Sequence, residues 1–227
     1  MDLSRCEIAL GKESVLSLNQ KSVMIVGVGG VGGYVAEMLA RTGIGKLGII
    51  DFDKVEESNI NRQIIATNSN LGKQKVTAMK ERLYDINPDI IICEFDCKLS
   101  KDNLTSFNLQ DYDYVVDAID IVENKVDLIE FCHLNKINII SAMGAGNKTC
   151  IPQYVVSDIY KTEYDKLSKV MRKKLKERNI AKHHVVFSKQ QSQVKSEGAI
   201  GSVVYHPAMC ACVISAFVIE ELIKKEN

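Results

Sequence analysis

The chain alternates short, wholly apolar runs with stretches in which apolar positions recur every three or four residues. Val23-Met24-Ile25-Val26 is a compact apolar run that leads straight into glycines, the pattern of a parallel strand buried on both faces and entering a tight turn. Tyr34 to Thr42 then sets Val35, Met38 and Leu39 on one helical face, and Gly43 and Gly45 end that helix. Leu47-Gly48-Ile49-Ile50 is a second strand, closing on Asp51. Gly72 to Asn87 carries helical spacing through Val76, Met79 and Leu83 until Pro88 stops it. Ile90-Ile91-Ile92, Tyr114-Val115-Val116 and Ile137-Asn138-Ile139-Ile140 read as further strands, with a helix from Lys125 to Leu134 between the last two. This alternation predicts an α/β fold: a Rossmann-like, mostly parallel sheet flanked by helices and joined by right-handed crossovers.

The rhythm changes near Lys148. Gln153 to Val156 is a short strand candidate and Glu163 to Arg178 a charged helix, while Lys189 to Ser202 is polar, aperiodic and reads as a mobile loop. An apolar helix near Ala208 to Lys224 closes the chain. Its longest apolar stretch, Ala208 to Ile219, is too short for a bilayer and fits a buried helix, so stable membrane insertion is not expected. Residues 1–227 thus read as one unit: an N-terminal arm (1–22), a Rossmann-like core (23–147), and a C-terminal extension (148–227) of short strands and helices.

Composition narrows the picture only slightly. A hydrophobic share of 46% suits a globular core, and a formal net charge of zero leaves no global attraction to nucleic acid or anionic membrane, so any basic surface has to be local. The seven cysteines form no paired Cys-x-x-Cys steps, so zinc is not expected. No signal-peptide pattern opens the chain, and reduced thiols in the cytoplasm are the simplest account.

Chemistry enters at Gly27-Val28-Gly29-Gly30-Val31-Gly32. Gly27, Gly29, Gly30 and Gly32 form a G-x-G-G-x-G turn between strand and helix, where the backbone can approach phosphate and the helix start offers free N–H groups. Asp51, at the end of the second strand, is placed to grip a ribose hydroxyl. On this motif alone NAD is the default nucleotide. The following segment, Asp51-Phe52-Asp53 through Ser58-Asn59-Ile60-Asn61-Arg62-Gln63, and the helix start Gly72-Lys73-Gln74-Lys75 are unlike a dehydrogenase. Arginine and lysine aimed at the nucleotide suit an enzyme that expels pyrophosphate, because they neutralise charge as it develops on the phosphates.

These motifs, with Asp117-Ala118-Ile119-Asp120 at another strand end, resemble the ubiquitin-activating-type adenylating superfamily, the ThiF/MoeB/HesA proteins. The resemblance implies ATP and Mg²⁺ as cofactors. It implies that Asp51 holds the ribose at the Asp51/Asp53 strand end, that Asn59, Arg62 and Lys75 contact the triphosphate, and that Asp120 helps to hold Mg²⁺. It further implies a homodimer in which Arg5, within Ser4-Arg5-Cys6-Glu7, completes the partner's site.

The second half narrows the family. Gly144-Ala145-Gly146, Val155 to Thr162, Arg172-Lys173-Lys174-Leu175 and Val186-Phe187-Ser188 resemble the tRNA threonylcarbamoyladenosine dehydratase branch, and the similarity is weakest over Lys189 to Gly198. That branch adenylates the threonine carboxylate of a modified tRNA adenosine, and ring closure within the modification needs no catalytic cysteine. The alternative is an enzyme activating a ubiquitin-like sulfur carrier, against which the missing zinc cysteines count. A sulfur-transfer accessory protein remains open as a partner. For tRNA, Lys166, Lys169, Arg172, Lys173, Lys174, Lys176, Arg178 and Lys182 offer a basic face, with Leu167, Val170, Met171 and Leu175 packing beneath it.

Overall fold

The computed structural model describes residues 1–191 and 200–224. The N-terminal arm is helical. α1 (Ser4–Leu10) and α2 (Lys12–Leu18) are separated by Gly11, whose φ of +87° breaks the helix. Then follow β1 (Ser22–Val26), α3 (Gly32–Thr42), β2 (Lys46–Asp51), α4 (Lys75–Ile86) and β3 (Ile91–Asp96). After short 3₁₀ turns come β4 (Tyr114–Asp117), α5 (Val122–Leu134), β5 (Ile139–Ala142), β6 (Tyr154–Asp158), α6 (Lys166–Glu177), β7 (His184–Ser188) and α7 (Tyr205–Ile223).

The seven strands form one sheet in the order β3-β2-β1-β4-β5-β7-β6, parallel except where β6 runs antiparallel to β7. Side chains of β1 alternate between two cores. Val23 and Ile25 pack with α3, α4 and α7, whereas Met24 and Val26 pack with α5 and α6. Burial on both faces is why each parallel strand reads as a continuous apolar run. The sheet passes without a break across residue 147, because β7 pairs with β5 on one side and β6 on the other.

Three expectations shift. The helix expected from Gly72 begins at Lys75. Residues 72–74 instead zip onto the segment after β2, through Gly72 N–H to Val55 O at 2.9 Å and Val55 N–H to Lys73 O at 2.8 Å. Strand β7 is an addition, since only Val186 to Ser188 stood out in the sequence. The C-terminal helix starts earlier than Ala208 and spans 19 residues, long and apolar enough by length and composition to cross a membrane, so shortness does not exclude that. It packs one face, including Cys210, Ala211, Ile214 and Val218, into the core beside α3. Most of the stretch read as a mobile loop, residues 192–199, lies outside the described residues.

Candidate active site

The order of β1 and β4 leaves a switch point at their C-terminal ends, with β2 and β3 on one side and β5 on the other. A cavity of about 560 Å³ opens there. It is lined by Gly27, Gly29 and Gly30 of the turn, by Asp51, Asp53, Arg62 and Lys75, and by Asp120 after β4. Eight of the residues expected at a nucleotide site therefore meet in one place.

Two glycines of the turn have different jobs. Gly27 has φ +88°, and a Cβ there would lie 2.8 Å from the Ala118 carbonyl oxygen, so only glycine lets β1 pass the end of β4. Gly32 is outside the cavity lining. A Cβ on it would overlap the Gly27 carbonyl, so it serves the close seating of α3 on the turn.

Asp51 is buried and organised by the backbone. Its Oδ2 accepts from Val28 N–H at 2.8 Å and its Oδ1 from Asp53 N–H at 2.9 Å. Burial raises its pKa, against the opposing pull of the Asp53 N–H, the Lys75 ammonium and the Val28 N–H. Each carboxylate oxygen keeps a lone pair for a hydroxyl donor. Lys75, the first residue of α4, is nearly buried and lies 2.7 Å from the half-exposed Asp53 carboxylate.

Arg62 follows a 3₁₀ turn at Glu57–Asn59. Its guanidinium donates to Ser58 O at 2.7 Å and Asn61 Oδ1 at 2.9 Å, which fixes part of the fork and leaves other N–H groups for an anion. Asn59 departs from expectation. Its side chain closes a capping box, accepting from Glu56 N–H at 3.2 Å, and it does not line the cavity. Its carbonyl accepts from the N–H groups of Arg62 and Gln63, so it shapes the turn that presents Arg62.

Asp120 is exposed and lines the cavity. It does not cap the following helix, whose N-cap residue is Ile121. Arg5 sits exposed on α1 and is not part of the cavity wall.

Sequence reasoning missed several wall residues. Val26, Ile50, Leu99, Ile119 and Val122 supply an apolar surface suited to a purine ring, and Asn124 donates to Leu99 O at 2.6 Å, steadying one edge of it. Cys97 also lines the cavity, where burial and the nearby Asp96 carboxylate push its thiol pKa up. Cys210 lies buried in α7 with its pKa pushed up to about 12 by burial, in keeping with a small hydrophobe.

Behind the wall lies a buried polar chain. Lys125 and Asp117 form a fully buried ion pair at 2.9 Å. Lys125 also donates to Ile119 O at 3.0 Å, and Asp117 accepts from Ser141 Oγ at 2.6 Å. Ser141 in turn meets His183 Nε2 at 2.8 Å. Its one legible trace was the spacing of Lys125, Leu128, Ile129 and Cys132, which puts a lysine on the apolar face of α5.

The basic helix also needs correction. Arg172 donates to Thr162 O at 2.9 Å, Lys174 pairs with Glu123 at 2.6 Å, and Arg178 pairs with Asp127 and Glu130, so these three do not form an open cationic face. Lys166, Lys169, Lys173, Lys176 and Lys182 remain exposed. Ser168, Met171 and Leu175 form the buried face, whereas Val170 is exposed and Leu167 reaches the cavity.

The ThiF family profile matches residues 3–227. The chain belongs to the ThiF family. Among its relatives is the tRNA threonylcarbamoyladenosine dehydratase of Bacillus subtilis, 40% identical over 195 residues, covering 86% of this chain and 77% of that protein. The Escherichia coli dehydratase is 40% identical over 166 residues, covering 73% of this chain and 62% of that protein. The crystal structure of E. coli TcdA with ATP superposes on this ThiF-family chain with a TM-score of 0.92 at 31% identity, covering 98% of one and 94% of the other. An adenylyltransferase and sulfurtransferase, MOCS3 of Aedes aegypti, matches less of the chain, at 38% identity over 132 residues, 58% of this chain and 30% of that protein.

Proposed function

We propose that this chain is an ATP-dependent dehydratase that cyclises N6-threonylcarbamoyladenosine in tRNA. The observation that carries the reading is the likeness along nearly the whole chain to the ATP-bound dehydratase, which includes the second half as well as the nucleotide-binding half.

The chemistry follows from the cavity. A threonine carboxylate oxygen attacks the α-phosphorus of ATP, the bond to the bridging oxygen breaks, and pyrophosphate leaves. A nitrogen of the same modification then attacks the activated carbonyl carbon. AMP departs with one of the original carboxylate oxygens and the nitrogen's proton passes to solvent, a net loss of water from the nucleoside. The turn at Gly27, Gly29 and Gly30 gives phosphate a close approach to backbone N–H groups. Asp51 accepts from the ribose, while Arg62 and Lys75 offset the charge that grows on the phosphates.

Asp120 suits Mg²⁺: it is an exposed carboxylate facing the cavity, and one carboxylate plus phosphate oxygens is a common donor set for that ion. When bound, the ion supplies charge neutralisation across the phosphates. Ring closure is intramolecular and draws on effective concentration rather than on a thiol.

A homodimer accounts for Arg5, which stands exposed on α1 while its own cavity is walled by other residues. The exposed lysines of α6 are the surface we assign to tRNA phosphates. We take residues 1–227 as a single adenylating unit, in keeping with the unbroken sheet, and seven unpaired thiols fit a cytoplasmic setting.

The test is product analysis. Threonylcarbamoylated tRNA should drive formation of AMP and pyrophosphate from ATP. If only a small carrier protein with a free C-terminal carboxylate does so, the enzyme is a sulfur-carrier activator instead.

A further inference from the structure

The Asp117–Lys125 pair has no place in the chemistry above, yet it sits directly behind it. Both side chains are fully buried, which is costly for two charges unless the geometry is good and the remaining hydrogen-bond capacity is used. Here it is used. The Lys125 ammonium spends one donor on Asp117 and another on the Ile119 carbonyl at 3.0 Å. Asp117 accepts from Ser141 Oγ at 2.6 Å and from Ile119 N–H at 3.1 Å. The peptide units on either side of Ile119 are therefore held by the two members of one ion pair.

That segment forms part of the cavity wall. Ala118, Ile119 and Asp120 all line it, and the Ala118 carbonyl lies against Gly27 of the phosphate-binding turn. Asp120 itself has no hydrogen bond or ion pair to hold it among the described residues. Its position on the wall is set by the backbone on its N-terminal side.

We infer that Lys125 is a positioning residue: through Asp117 and the Ile119 carbonyl it fixes the strand end that carries Asp120, and so sets how well the site takes Mg²⁺ with ATP. The inference rests on the assignment of Asp120 to the metal in the proposed function. Groups one layer behind a metal ligand commonly tune metal affinity by about 10–100-fold.

The test is ATP binding by calorimetry, with EDTA and across a Mg²⁺ titration, on the full chain. Lys125→Met alone strands a buried carboxylate and is expected to lower the melting temperature sharply, so the decisive variant is the electroneutral pair Asp117→Asn with Lys125→Met. The pair should melt close to the parent and bind ATP in EDTA as the parent does. It should need about tenfold more Mg²⁺ to tighten ATP binding. Asp120→Asn should cost less in the pair background than in the parent, because both changes act at one point.

Parent-like Mg²⁺ dependence in a folded pair variant overturns the inference and leaves a charge-balanced core element. If the pair does not fold, Ser141→Ala decides, since it loosens Asp117 without changing charge. Weaker Mg²⁺ tightening supports the inference, and unchanged tightening overturns it. A parent protein whose ATP affinity ignores Mg²⁺ refutes the metal assignment of Asp120 itself, before any variant of Lys125 is made.

Discussion

The Lys75 ammonium lies 2.7 Å from the Asp53 carboxylate, and the same two residues are tied through the backbone, Lys75 N–H donating to the Asp53 carbonyl at 2.9 Å. This double tie joins the end of β2 to the start of α4 across 22 residues of sequence. It brings a cation from the helix into the same cavity as Asp51 and the glycine turn. Asp53 is about half exposed, so the pair itself contributes little stability; its effect is to orient Lys75.

Lys75→Ala should therefore damage chemistry more than folding. We expect tRNA-dependent pyrophosphate release to slow by about 10²–10³-fold, the scale of losing one donor to a developing anion, with a melting temperature near that of the parent. Arg62→Ala should behave similarly. Steady-state release of pyrophosphate, measured beside a thermal melt, checks both.

The glycines of the turn separate fold from function. A Cβ at Gly29 meets nothing nearer than Gln63 Nε2 at 3.8 Å, so Gly29→Ala should fold but intrude on the phosphate approach and weaken ATP binding. Gly32→Ala has a backbone oxygen in the way and should lose more than about 3 kcal/mol of stability, the severe end of overpacking. Denaturant melts and ATP titrations of the two variants should give opposite patterns.

Much of this was legible in the chain, for a physical reason. Strands buried on both faces must be wholly apolar, so Val23 to Val26 and Tyr114 to Val116 announced themselves, and the acidic residues ending β2 and β4 marked the ligand end of the sheet. Strand β7 was hidden because its apolar run, Val185-Val186-Phe187, is short and flanked by His183, His184 and Ser188, which the tertiary fold buries in part or in full. Asn59 misled because its turn-forming role and a phosphate contact call for the same residue type at the same place. The buried Lys125 was the hardest to see, since a lone lysine reads as solvated until its partner eight residues earlier is known to face it.

The corrected α6 surface makes a quantitative expectation about salt. Replacing Lys169, Lys173 and Lys176 by alanine should weaken tRNA binding and reduce the slope of log affinity against log salt by up to about 2–3. ATP binding should not change. Arg178→Ala should instead lower the melting temperature, because that guanidinium braces α6 against Asp127 and Glu130 on α5. Filter binding across a salt series, with thermal melts, distinguishes the two classes.

His183 sets a pH dependence of stability. It is buried beside Ser141 and His133, and burial holds its pKa well below the ordinary value of 6.5. The unfolded chain takes up a proton on this ring near pH 6.5 while the folded protein does not, so stability is intact above that pH and falls as pH drops below it. His133, lowered by burial and by His184, adds in the same direction. Melting temperatures measured from pH 8 down to about 5 should decline below about 6.5, and His183→Gln should flatten part of that decline. A decline of equal slope in the variant would assign the effect elsewhere.

The central claim is that the activated carboxylate belongs to a modified adenosine in tRNA. Nucleoside analysis by mass spectrometry, after incubating threonylcarbamoylated tRNA with the protein and Mg²⁺–ATP, tests it most directly. The account predicts conversion to a nucleoside lighter by one water, dependent on ATP, and abolished in Lys75→Ala. Unchanged nucleoside in the presence of protein that is folded and binds ATP would contradict it.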